Sequence, residues 1–214
     1  MEAQDYRQDL SHIREMMSRS TRFISLSGLS GILAGIYALI GAGLAYFRIG
    51  QIEVYSSDSL KNTLRSFAAS IKKVEDLILI ALAVLILAVG SAMFLTFKKA
   101  KKNKEKIWTS TTRRLLFYFL VPLCSGGLFC LVLISEDLVG LVAPACLLFY
   151  GLALLNASKY TFGDIKYLGL IEILLGLTAT QFIGFGLLFW AIGFGVCHII
   201  YGIILYNKYD RNPA

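Results

Sequence analysis

The chain has 214 residues, of which 57% are hydrophobic and only 16% charged, with a mean hydropathy of +0.67. A soluble domain carries about 25% charged residues, whereas here the apolar residues gather into runs that reach the roughly 20 residues needed to cross a bilayer. That excludes a soluble enzyme or binding domain. A net charge of +7 does not restore a nucleic-acid-binding reading, because the bases sit in short segments beside the apolar runs, where membrane topology places them.

The fold class these runs predict is all-α: a polytopic bundle of six transmembrane helices with short amphipathic helices. Residues 1–22 are expected to form a cytoplasmic amphipathic segment, with Leu10, Ile13 and Met17 at helical spacing and Arg14, Arg19 and Arg22 near the membrane surface. Acids mix with bases there, and the next apolar run is longer than the core of a signal peptide. No cleaved leader is therefore expected.

The transmembrane domain is placed at residues 23–206. Its first span covers about 23–47 and carries Ser27, Gly31, Gly35, Ala38 and Ala42 along one face, a stripe that lets a second helix come close. In the polar connection 48–76, Leu60, Leu64, Phe67, Ile71 and Val74 alternate at spacings of four and three. Ser57 or Asp58 stands ready to cap that helix. It either lies on the membrane or runs straight into the second span, about 77–97.

Residues 98–114 hold eight bases, Lys98, Lys99, Lys101, Lys102, Lys104, Lys106, Arg113 and Arg114, against one acid. This reads as a cytoplasmic loop that would bind anionic lipid headgroups, with Trp108 at the interface. The third and fourth spans, about 115–134 and 138–155, are joined by a few polar residues and must form an antiparallel hairpin. Pro122 and Pro144 are the kink candidates, opening a cavity or serving packing alone.

The fifth and sixth spans are placed at about 165–181 and 184–206, and 207–214 is a polar cytoplasmic tail. Asn156-Ala157-Ser158 has the form of a glycosylation site but abuts a helix end on the cytoplasmic side. Putting both termini in the cytoplasm places four bases of the N-terminal segment, eight of the 98–114 loop, two of 156–166 and two of the tail inside. Five of the 21 then remain outside. No internal repeat is evident.

Cys124, Cys130, Cys146 and Cys197 all lie in the apolar runs without a Cys-x-x-Cys pair. They read as small buried residues rather than a disulfide framework or a zinc site. With only His12 and His198, a histidine-ligated centre is hard to build. Walker, Rossmann, zincin and nucleophile-elbow patterns are absent. No cofactor or metal is expected, and a non-enzymatic role is favoured over an enzyme.

Two ionisable side chains interrupt the spans. Glu172 shares a face with Gly169, Gly176 and Ala179, and His198 shares one with Ala191, Gly195 and Gly202. A carboxylate in lipid costs several kcal/mol, so Glu172 must face protein or water, or carry a proton. One reading is a structural hydrogen bond, Glu172 to His198 or either of them to another group. The other is a proton-responsive Glu/His pair in a small transporter or channel. The alternative class is a membrane scaffold or signalling protein, and a homo-oligomer is compatible with both.

The run FISLSGLSGILAGIYALIGA at 23–42, with NASKYTFGDIKYLGLIEILLGL at 156–177, resembles a group of small bacterial inner-membrane proteins with six predicted helices. The resemblance implies a bacterial inner-membrane location. It carries over no activity and no functional residue.

Overall fold

The computed structural model describes residues 27–50, 60–104 and 106–211, excepting the side chains of 60–73. The expected amphipathic segment 1–22 and the capping residues Ser57 and Asp58 lie outside the described residues. Among those described there are helices and turns and no strand. The helices are α1 (Gly28–Gly50), α2 (Leu60–Lys102), α3 (Ser110–Ser135), α4 (Val142–Ala157), α5 (Ile165–Ala179) and α6 (Gly186–Asp210). All but α5 are long and apolar enough to cross a membrane, α4 together with the 3₁₀ turn Val139–Leu141 that leads into it.

The chain divides into two compact units, one of Thr96–Gln181 and one of Ser27–Leu95 with residues 182–211. In the first, α3 begins at Thr109, whose Oγ1 accepts from the Thr112 amide at 3.2 Å while Thr112 Oγ1 donates to the Ile107 carbonyl at 2.6 Å. This satisfies an amide that has no helical partner. Pro122 lies inside α3, which continues unbroken through it.

The helix stops where Asp137 takes a left-handed conformation (φ 58°) and the Leu138 amide bonds back to the Leu133 carbonyl at 2.8 Å. Pro144 occupies the first turn of α4, where a missing N–H leaves nothing unpaired. Pro144 thus stands where the 3₁₀ turn Val139–Leu141 passes into α4.

The α4–α5 hairpin is built on backbone contact. A Cβ at Gly151 would come within 2.6 Å of the Gly169 carbonyl oxygen and 2.8 Å of the Ile173 amide nitrogen. One at Gly169 would lie 2.8 Å from the Gly151 oxygen, and one at Gly176 2.9 Å from the Pro144 oxygen. Only glycine permits this approach, and the dispersion attraction of two backbones so close replaces the hydrophobic force that lipid withholds. Against α3, α4 sets Phe149 over Gly126, whose added Cβ would sit 2.5 Å from the ring's Cγ, whereas a Cβ at the adjacent Gly127 meets open space. Gly126→Ala is therefore expected to cost about 1–3 kcal/mol and Gly127→Ala to be neutral or slightly stabilising. Melting curves of the two variants in one detergent make the comparison.

In the second unit α1 packs on α6 through the small-residue stripe. A Cβ at Gly31 would meet the Gly202 Cα at 3.2 Å, and one at Gly35 the Gly195 oxygen at 2.6 Å; Ala38 and Ala42 are buried along the same side. The far end of α6 then closes the start of α1. Asp210 Oδ2 accepts from the Gly28 amide at 2.9 Å and from Ser27 Oγ at 3.1 Å. A carboxylate at a helix N-terminus satisfies orphan amides and complements the dipole.

Of the segment 58–74, the described residues from Leu60 on run directly into the second span as part of α2, one continuous helix of 43 residues, about 65 Å long. It absorbs Lys98, Lys99, Lys101 and Lys102 into its last turns. No residue of its most apolar stretch, within Val74–Lys102, is buried inside the protein.

Candidate functional site

Glu172 lies midway along α5, on a face formed by Ile165, Leu168, Gly169, Glu172, Gly176 and Ala179, all buried. It is 0% exposed and stands with Leu147 and Pro144 among the largest fully buried side chains. Gly169 and Gly176, one turn to either side, are residues that touch the α4 backbone, so the carboxyl is flanked by backbone contact between α4 and α5. Tyr150, beside Gly151 on α4, lies near Glu172. Sequence reasoning does not single out Tyr150; its signal is adjacency to the glycine that admits α5.

His198 is buried in the second unit, 7% exposed. It follows a wide turn of seven residues, Ala191–Cys197, in which the helix adopts π geometry. The ring Nδ1 lies 3.0 Å from the Gly193 carbonyl oxygen five residues back. A carbonyl only accepts, so Nδ1 carries the proton, and in the neutral ring Nε2 is the acceptor. Phe194 stacks on the imidazole, centroids 5.9 Å apart and planes at 24°. The tautomer and the ring plane are thus both fixed from within α6. Such π turns occur often at functional positions.

The remaining sequence-chosen residues fall into structural roles. Ser27, just before α1, and Gly35 within it are buried, Gly31 is half-buried, and Gly195 and Gly202 are buried on α6 facing α1. Of the basic segment, Lys98, Lys101, Lys102, Lys104, Lys106, Arg113 and Arg114 are exposed. Lys99 is half-buried, with Nζ 5.7 Å from the centroid of the Phe162 ring. Lys104 takes a left-handed conformation (φ 55°) just beyond α2. Aromatic rings lie near the same end of the unit: Trp108 is exposed, and Tyr118 stacks on Tyr160 with centroids 5.2 Å apart. This mixture of bases and amphipathic rings suits a membrane–water boundary.

Among the described residues no group of three or more His, Cys, Asp or Glu side chains could hold a metal ion. No family model, no curated protein and no solved structure matches the chain. What stands is a mostly helical protein whose several long apolar helices are consistent with a membrane protein.

Proposed function

We propose that this is a small transporter or channel of the bacterial inner membrane that responds to protons through Glu172, with His198 as a second titrating group. The observation that carries the reading is the complete burial of Glu172 within the glycine-packed α4–α5 hairpin. An ionisable group in an apolar span is expensive to keep, and such groups commonly mark ion or proton paths. The fixed imidazole of His198 belongs to the only histidine in the apolar part of the chain.

Six crossings with both termini cytoplasmic complete the proposal. At 15 residues, α5 spans about 22 Å, less than the roughly 30 Å of hydrocarbon. Its contacts nevertheless extend along α4 from Leu155 beside Gly169 to Pro144 beside Gly176. That antiparallel pairing supports a helix that retraces the crossing made by Val139–Ala157. The exposed bases of 98–114 support a cytoplasmic side in contact with anionic headgroups, and the bacterial source rests on the resemblance of 23–42 and 156–177.

Proton flux into proteoliposomes across an imposed pH gradient tests the reading. The parent chain is expected to dissipate the gradient at least about tenfold faster than empty liposomes, and Glu172→Gln to lose that rate while eluting as a monodisperse peak. A Gln variant with the parent's flux and pH profile removes Glu172 from the mechanism.

A scaffold role is the second reading, favoured by the apolar stretch of α2 whose residues are not buried within the chain. It requires a stable oligomer or complex through that helix and no flux from the parent chain.

A further inference from the structure

Two thiols on neighbouring helices face each other near the α3–α4 turn. Cys130 Sγ lies 3.7 Å from Cys146 Sγ and 3.9 Å from the Val142 carbonyl oxygen. At that separation the sulfurs are in van der Waals contact with no atom between them. The pairing follows from the register of the hairpin: the two cysteines are 16 residues apart, with Leu138, at the end of α3's closing turn, as their midpoint. Around them Leu133 and Ala145 are buried, and Leu141, Val142 and Phe149 pack against the cluster. Cys124 and Cys197 stand elsewhere, one exposed and one half-buried.

We propose that Cys130 and Cys146 form a membrane-embedded redox site that closes to a disulfide between α3 and α4, with a lipid-soluble quinone as oxidant. A disulfide bond is about 2.05 Å long, so the sulfurs must approach by about 1.6 Å. In closing, each thiol gives up one proton and one electron and the S–S bond forms. The quinone takes both electrons and both protons and leaves as the quinol.

Chemistry at this depth selects the oxidant. Cys130 is five residues from the end of α3 at Ser135, about 7 Å below it, amid apolar side chains. A charged, water-borne disulfide would have to shed its hydration to enter. A quinone dissolves in hydrocarbon and suits two sulfurs set among apolar side chains.

The test uses the full chain carrying Cys124→Ala and Cys197→Ala, reduced and reconstituted in liposomes. Decyl-benzoquinone is added, the reaction is quenched with acid, and the denatured chain is labelled with a polyethylene-glycol maleimide. Labelled thiols are expected to fall from two to none, with the product a monomer on a non-reducing gel and both thiols restored by reductant. Glutathione disulfide in a parallel sample is expected to leave both thiols, and adding Cys146→Ser to leave Cys130 fully labelled after quinone. The proposal is overturned if quinone leaves two thiols on a chain that elutes as the folded species. It is overturned equally if the loss appears as a disulfide-linked dimer, or if glutathione disulfide acts as fast as the quinone.

Discussion

Gly169→Leu is expected to drive α4 from α5 and to destabilise the protein by about 3 kcal/mol or more. The Cβ alone would lie 2.8 Å from the Gly151 oxygen and 3.0 Å from the Leu155 nitrogen, and both are main-chain atoms within a helix. Neither can rotate aside as a side chain could. Relief requires separating the helices, which forfeits the dispersion attraction along the interface. The control is Gly163→Leu, because a Cβ at Gly163 meets nothing within 4 Å. Thermal unfolding in detergent should show a sharp loss for the first variant and near-parent behaviour for the second. Equal melting temperatures would end the account of the hairpin as glycine-mediated.

Glu172→Lys should be the most damaging single charge change in the chain, and Glu172→Gln among the mildest at a buried site. Glutamine keeps the volume and the capacity for hydrogen bonding, so its expected cost is below about 1.5 kcal/mol. Lysine brings a permanent cation and a longer side chain to a position with 0% exposure. Its stem cannot carry the ammonium to water from the middle of a 15-residue helix packed on α4. An uncompensated buried charge costs about 3–5 kcal/mol, enough to prevent assembly of a marginally stable bundle. Expression as a fluorescent fusion followed by size-exclusion chromatography reads this out. A monodisperse Lys variant at parent yield would mean that the site is wet or that the carboxyl already pairs with an exchangeable partner.

Helical periodicity makes much of this architecture legible in the residues themselves. The spacing of Gly169, Glu172, Gly176 and Ala179 puts these residues on one side of a helix, and all four are buried on α5. Spacing says which residues share a face and cannot say which helix that face will meet. Gly151 as the partner of Gly169 is therefore not legible from it. The same ignorance of partners hides Asp210, which in the sequence belongs to a polar tail. It caps a helix start 182 residues away, a distance over which no local pattern carries information.

Pro144 is ambiguous in the sequence because proline is tolerated in a first turn and also occurs at kinks, and the position of the helix start is not legible from the residue. The pairing of Cys130 with Cys146 is recoverable in principle. Once the hairpin turn is centred on Leu138, antiparallel register brings equidistant residues side by side. Single-residue reasoning about buried cysteines overlooks that symmetry.

The widened turn at Ala191–Cys197 behaves like one residue inserted into an ordinary helix. Were the same residues to wind at the ordinary 3.6 per turn instead, everything downstream would swing by about 100° around the axis. Gly202 would turn away from Ile32 and Gly28, which a Cβ on it would meet at 2.6 and 2.8 Å. The imidazole would lose the Gly193 carbonyl, and Asp210 would no longer reach the first amide of α1. The wide turn thus sets the register of the whole latter half of α6, from the imidazole to the carboxylate that closes α1.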